Sequence, residues 1–269
     1  MALHAEDPQR WFLADLSRRR HLVQLLCLPH AGGSASSYRE WLAALDEHVD
    51  VVPVQLPGRE NRMREPCVRD IGVLVTTLAD AIQGAGLETI ALFGHSMGAV
   101  LALETCAELE RRGIGVRHLF ASGHAGTRLV PTDRRLAVGP TASDEALVTS
   151  VDLLHPLSGT TLSDPEYRRM FLTVLRADLE LLTTVTFQTG PVRAPITVLM
   201  GEDDPLLRSH DTAGWQRLTL ASCATHTLRG GHFYLDTQAA ELVRIVCERL
   251  GSVAVGSVDD RTGPAGEDR

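Results

Sequence analysis

Six short β-forming runs recur along the chain, and stretches of a different period separate them. "HLVQLLCL" (21–28), "VDVVPVQL" (49–56), "ETIALFG" (88–94), "VRHLFASG" (116–123), "APITVLMG" (194–201) and "ATHTLRGG" (224–231) read as strands. Several are apolar on both faces, as a central parallel strand covered by helices must be. Between the early runs, "SSYREWLAALDEH" (36–48), "DIGVLVTTLADAIQGAG" (70–86) and "MGAVLALETCAELERRG" (97–113) repeat apolar residues at helical spacing. Two of the three close on glycine, a common helix stop. Strand and helix alternating in this way predict an α/β fold built on a mostly parallel, doubly wound sheet.

Two regions break the rhythm. Residues 127–190 are too long for a simple connection and hold helical patterns of their own, "SDEALVTSVDLL" (143–154) and "DPEYRRMFLTVLRADLELLTTV" (164–185). They predict a helical cap inserted over the active site. The tail "GSVAVGSVDDRTGPAGEDR" (251–269) has little to bury and is expected to be disordered. With residues 1–20 as an N-terminal extension, this leaves one domain over 21–250, cap included.

Composition narrows the function. The 269 residues suffice for a single α/β domain with a substantial core. Five cysteines, an odd number without metal-like spacing, mostly inside apolar runs, point to reduced thiols in a cytoplasmic protein. No window approaches the ~18 apolar residues of a membrane span, and "MALHAEDPQRW" lacks the order of a signal peptide. A net charge of −8 argues against nucleic acid as partner. All 26 basic residues are arginine.

The chemistry centres on "LFGHSMGAVLALE" (92–104). Gly94-His95-Ser96-Met97-Gly98 is G-x-S-x-G between a predicted strand and a predicted helix, the setting of a nucleophile elbow. Glycines two residues either side let the strained turn pack, and the helix N-terminus favours the negative charge that develops there. A serine hydroxyl needs a base and an acid to orient it. The fifth strand ends in "MGEDDPLL" and the last in "RGGHFYLD", which places Asp204 and His232 at the same sheet edge as Ser96. Asp203 competes; Asp204 is preferred because it sits deeper in the loop, before Pro205, with Asp203 facing solvent or capping the helix after Pro205. His95 is read as packing in the elbow, His226 as a strand residue and His210 as part of a polar helical stretch. Oxyanion donors are expected at the backbone N–H of Met97 and of Ala31, in the turn "CLPHAGGSASSY" (27–38). That turn is not a phosphate loop, since the chain has no lysine. No His or Cys pair has ligand spacing, so no metal is expected.

The blocks "LPHAGGSASSYREW" (28–41), "VQLPGRENRMREP" (54–66), "LFGHSMGAVLALE" (92–104), "LRADLELL" (175–182), "GEDDP" (201–205) and "GGHFYL" (230–235) resemble the signatures of type II thioesterases. These are stand-alone α/β-hydrolases that accompany polyketide synthases and nonribosomal peptide synthetases. The blocks run in family order over about residues 21–250. The resemblance implies hydrolysis of acyl groups held as thioesters on the phosphopantetheine arm of a carrier protein, with no cofactor. It implies a triad of Ser96, Asp204 and His232, with Ala31 and Met97 as oxyanion donors. The cap departs from the family pattern, reading "VGPTASDEAL" (138–147) and "LLHPLSGTTL" (153–162), which bears on acyl-chain preference. Carrier proteins are usually acidic, as this chain is, so a local basic face is expected to dock them. Arg59, Arg62, Arg64, Arg168 and Arg169 are the candidates, against the alternative that they are merely solvated.

Overall fold

The computed structural model describes residues 8–14, 22–43, 49–126, 135–155, 162–186, 190–207 and 211–251. Six strands form one all-parallel sheet: β1 (Val23–Leu28), β2 (Val49–Pro53), β3 (Ile90–His95), β4 (Val116–Ser122), β5 (Ile196–Gly201) and β6 (Cys223–Leu228). Their order is β2-β1-β3-β4-β5-β6. All six predicted strands are present, with ends shifted by at most three residues. The helices are α1 (Ile71–Gly84), α2 (Met97–Arg111), α3 (Asp144–Leu154), α4 (Pro165–Thr183) and α5 (Ala239–Gly251).

The two-faced runs resolve into two cores. From β1, Leu26 and Leu28 join α1 and α2 on one face, while Leu25 and Cys27 turn to the other. Ile90 and Leu92 of β3 follow the first pair, Ala91 and Phe93 the second. On that second face α5 contributes Leu242, Ile245, Val246 and Leu250, whose helical spacing is legible although no helix was assigned there above. Helices on both faces are what a parallel sheet requires.

Around residues 36–48 the structure departs from the predicted helix. A 3-10 segment runs over Ala35–Ala43, and residues 44–48 lie outside the described part. Its buried positions are Ala35, Tyr38 and Trp41, a three-residue repeat, which suits three residues per turn rather than 3.6. Tyr38 and Trp41 pack edge-on against Phe93, at centroid distances of 5.8 and 4.8 Å.

Residues 8–14 of the N-terminal extension join the core on the α1 and α2 face. Trp11 and Phe12 are buried, and Phe12 forms an antiparallel bridge to Val54. The cap supplies α3 and α4, capped by Ser143 and Asp164 side chains on the N–H groups of Ala146 and Tyr167. The expected disordered tail falls, from residue 252 on, outside the described residues, as do cap residues 127–134, 156–161 and 187–189. Trp215, fully buried, donates its indole N–H to the carbonyl of His124 where the chain leaves β4 for the cap. Among the described residues no helix is long and apolar enough to cross a membrane.

The strand order reverses between β1 and β3. In an open α/β sheet the crevice beyond the carboxyl ends of two such strands is where ligands bind. Phe93, directly beneath it, is expected to be costly to remove: Phe93→Ala should lower unfolding free energy by about 3–5 kcal/mol, measured by urea denaturation.

Candidate active site

Ser96 stands at the end of β3 with φ 56° and ψ −115°, one of two non-glycine residues at positive φ among those described. Such a conformation costs of order 1–3 kcal/mol and persists only where its surroundings enforce it. A Cβ at Gly94 would lie 1.9 Å from the Gly98 carbonyl oxygen, and one at Gly98 would lie 2.2 Å from the Leu28 carbonyl oxygen. Strand, helix and the neighbouring strand thus meet backbone to backbone, and Ser96 is pushed up between them. Its N–H donates to the Ser122 carbonyl at 2.8 Å, fastening the turn to β4.

His232 and Asp204 come together from separate loops. The imidazole Nδ1 lies 2.8 Å from Asp204 Oδ2, and both residues are buried. A carboxylate only accepts, so Nδ1 carries the proton and Nε2 is left as a base. The second carboxylate oxygen accepts from Leu206 N–H at 2.9 Å. Asp203 is exposed, its N–H bonded to the Gly230 carbonyl. A Cβ at Gly201 would meet the Gly231 carbonyl oxygen at 2.2 Å, so the end of β5 and the loop of His232 are packed as closely as the elbow.

Ser96, His232, Ala31 and Met97 all line one cavity of about 590 Å³. Among the described residues no hydrogen bond joins the Ser96 hydroxyl to His232; such bonds are often long without substrate and shorten in the complex. Met97 is the first residue of α2, so its N–H has no partner inside the helix. The cap closes the cavity with Leu147, Val151, Phe171, Leu175 and Leu179, leaving an apolar wall opposite the polar floor.

Several histidines that the sequence reading set aside gather here. His95 packs in the elbow, as read above: its Nδ1 lies 2.8 Å from the Ser122 hydroxyl, which lies 2.6 Å from the Tyr234 hydroxyl. This chain braces the His232 loop against the elbow. Phe233 packs edge-on against both His232 and His30, at 5.2 and 4.8 Å. Burial, aided by charge at His232, His155 and Arg59, pushes the His30 imidazole down to about 3. Burial and then His232 push His124 down to about 4, and burial with His232 and His30 holds His95 well below the usual range. His226 is in β6, with Nε2 3.1 Å from Arg249, and His210 lies outside the described residues.

The proposed basic face does not survive intact. Arg59 is buried in an ion pair with Asp178, and Arg62 is buried with its guanidinium on Glu65 and over the Trp11 ring. Arg64 and Arg169 are exposed, and Arg168 is partly exposed, 3.9 Å from Glu145. Asp178, from "LRADLELL", was given no role by sequence reasoning; a charged residue flanked by leucines in a buried helix face was the available signal.

Among the described residues no cluster of three His, Cys, Asp or Glu side chains could hold a metal ion. All five cysteines are free. An open parallel sheet, a strained serine after a central strand, and a histidine–aspartate pair beside it define an α/β-hydrolase. The thioesterase domain family matches residues 23–250. A probable cadicidin biosynthesis thioesterase of Streptomyces griseus is 35% identical over 257 residues, spanning 95% of this chain and 68% of its own length. RedJ, a thioesterase from the prodiginine biosynthetic pathway in Streptomyces coelicolor, aligns at a TM-score of 0.79 with 34% identity, over 88% of this chain and 92% of its own. The type II thioesterase BorB, from the borrelidin biosynthetic cluster, aligns at 0.75 with 34% identity, over 89% and 97%. The chain belongs to the thioesterase domain family and is a thioester hydrolase.

The depressed histidines set a pH dependence of stability. His30, His124 and His118, the last pushed down to about 4 by burial and Arg249, take up protons near 6.5 when unfolded but only near 3–4 when folded. The unfolded state therefore binds more protons below 6.5, and their contribution to stability is lost as pH falls from there toward 4. The urea midpoint should drop between pH 7 and pH 5, and His118→Gln, away from the cavity, should flatten the drop.

Proposed function

We propose that this chain is an editing thioesterase of the type II class, which removes acyl groups from the phosphopantetheine arm of acyl or peptidyl carrier proteins in polyketide or nonribosomal peptide synthesis. Carrying this reading is the strained Ser96 turn facing a cavity shared with His232, whose Nδ1 is occupied by Asp204. The pathway assignment draws on the relatives above, each named for a biosynthetic cluster or pathway.

In this mechanism His232 Nε2 takes the Ser96 proton as Oγ attacks the thioester carbonyl. The carbonyl oxygen receives the electron pair and accepts from the N–H groups of Ala31 and Met97. The thiolate leaves, taking the proton from His232, and the carrier regains its free thiol. Water, deprotonated by the same imidazole, then attacks the acyl-serine, and the acid departs as Ser96 is restored. The acyl chain lies along the apolar cap wall. No cofactor enters the scheme, and the free cysteines fit a cytoplasmic setting. Docking of the carrier falls to the exposed arginines Arg64 and Arg169, with Arg168.

Intact-protein mass spectrometry of an acetyl-loaded carrier protein tests this directly. Wild type should convert it to the free-thiol form. Ser96→Ala should slow this by about 10³-fold or more, and Asp204→Asn by about 10⁴-fold through the wrong imidazole tautomer. An acyl-carrier left intact by a wild type that still reacts with a fluorophosphonate would point instead to another acyl group or to a small-molecule ester.

A further inference from the structure

The turn that carries Ala31 is shaped from outside itself. Gly32 N–H donates to Asp178 Oδ2 at 2.8 Å. Arg59 Nη1 donates to the same oxygen and to the Gly33 carbonyl, both at 2.9 Å, and Nη2 donates to Asp178 Oδ1 at 2.7 Å. Relative exposure is 6% for Arg59 and 1% for Asp178. Gln55 adds a further tie, donating to the Arg59 carbonyl at 2.8 Å and accepting from Ala35 N–H at 2.9 Å. Three segments distant in sequence, the turn after β1, the loop after β2 and helix α4 of the cap, therefore converge on one carboxylate.

Stability alone does not explain a charged pair at this place. Burying both ions sacrifices hydration that their attraction scarcely recovers, and apolar side chains of similar volume usually serve as well. The cap already meets this turn through apolar contact, since Ala31 packs on the cluster of Leu147, Leu172 and Leu175. What the pair supplies and a methyl group could not is direction. It engages Gly32 N–H and the Gly33 carbonyl, and Ala31, the preceding residue of the turn, lines the cavity. Arg59 also neutralises a carboxylate that would otherwise oppose negative charge forming beside Ala31.

We propose that Asp178 and Arg59 are positioning residues for the oxyanion hole, holding the turn at Gly32 and Gly33 so that the Ala31 N–H meets the developing oxyanion while the carboxylate's charge is cancelled. This rests on the reading of Ser96 as nucleophile and Ala31 as donor.

The test uses the full chain and a trifluoromethyl ketone carried on a pantetheine thioether, 13C-labelled at the ketone carbon. Ser96 Oγ bonds to that carbon, the carbonyl π pair moves to its oxygen, and the serine proton passes to His232. The 13C shift then reports the pH at which the adduct oxygen ionises. In Asp178→Glu, which keeps both charges, and in Asp178→Asn/Arg59→Gln, which removes both, that pH should rise by about one unit, the mark of a roughly tenfold weaker hole. On acetyl-carrier, kcat should fall about 10- to 100-fold with KM within about twofold. An ionisation pH equal to that of wild type in either folded variant overturns the proposal, even where kcat falls, because a purely structural pair would do no more. A wild type that neither forms the adduct nor hydrolyses the carrier thioester overturns the acyl-transfer reading and this inference with it.

Discussion

Around residues 94–98 three stretches of backbone pack with no side chain between them, and the site is arranged by that contact. The Gly98 carbonyl fills the space a Cβ at Gly94 would need, and the Leu28 carbonyl fills that of Gly98. Because β1 and β3 are also paired in register, Leu28 against Gly94, the turn leaving β1 is fixed relative to the serine. The strain at Ser96 is thus sustained by the whole middle of the sheet, which has nowhere else to put helix α2. The reversal of strand order falls between the same two strands, so the crevice opens at the point where backbone approach is closest.

The fold was legible because each buried strand carries two cores. A run such as Leu25-Leu26-Cys27-Leu28 leaves no polar face, and only a sheet covered on both sides accommodates it. Serine, aspartate and histidine were legible because each sits just past a strand, next to glycines that permit tight turns. The 3-10 segment at Ala35–Ala43 was hidden, since its three-residue repeat of Ala35, Tyr38 and Trp41 is too short to separate from a helical period. The arginines mark a harder limit. Nothing in "LPGRENRMRE" distinguishes Arg59, buried on an acidic partner, from exposed Arg64, because that partner, Asp178, is 119 residues away. Long-range pairing between charges leaves no local periodicity to read.

Around Ser96, Asp204 and His232, burial disfavours the charged form of other imidazoles. His95 and His124 are buried and His30 half-buried, and each is further disfavoured as a cation by His232. Aromatic edges of Phe233 and the Tyr234–Ser122–His95 chain replace charge as the means of orientation. Excess positive charge here would compete with His232 for the Asp204 carboxylate. The ionic element lies behind the turn at Gly32 and Gly33 instead, at Arg59 and Asp178, where opposite charges cancel.

The placement of the tryptophans turns this geometry into something visible by optical spectroscopy. The chain has three: Trp11 under the Arg62 guanidinium, Trp41 among Tyr38 and Phe93, and Trp215 across Gly126 with its N–H on the His124 carbonyl. All three indoles are shielded from water. Among the described residues Trp215 alone of the three touches the segment where β4 gives way to the cap, at His124 and Gly126. With Trp11 and Trp41 replaced by phenylalanine, emission from Trp215 becomes an intrinsic gauge of that segment, and no label need be introduced into a protein whose interior has so little room for one.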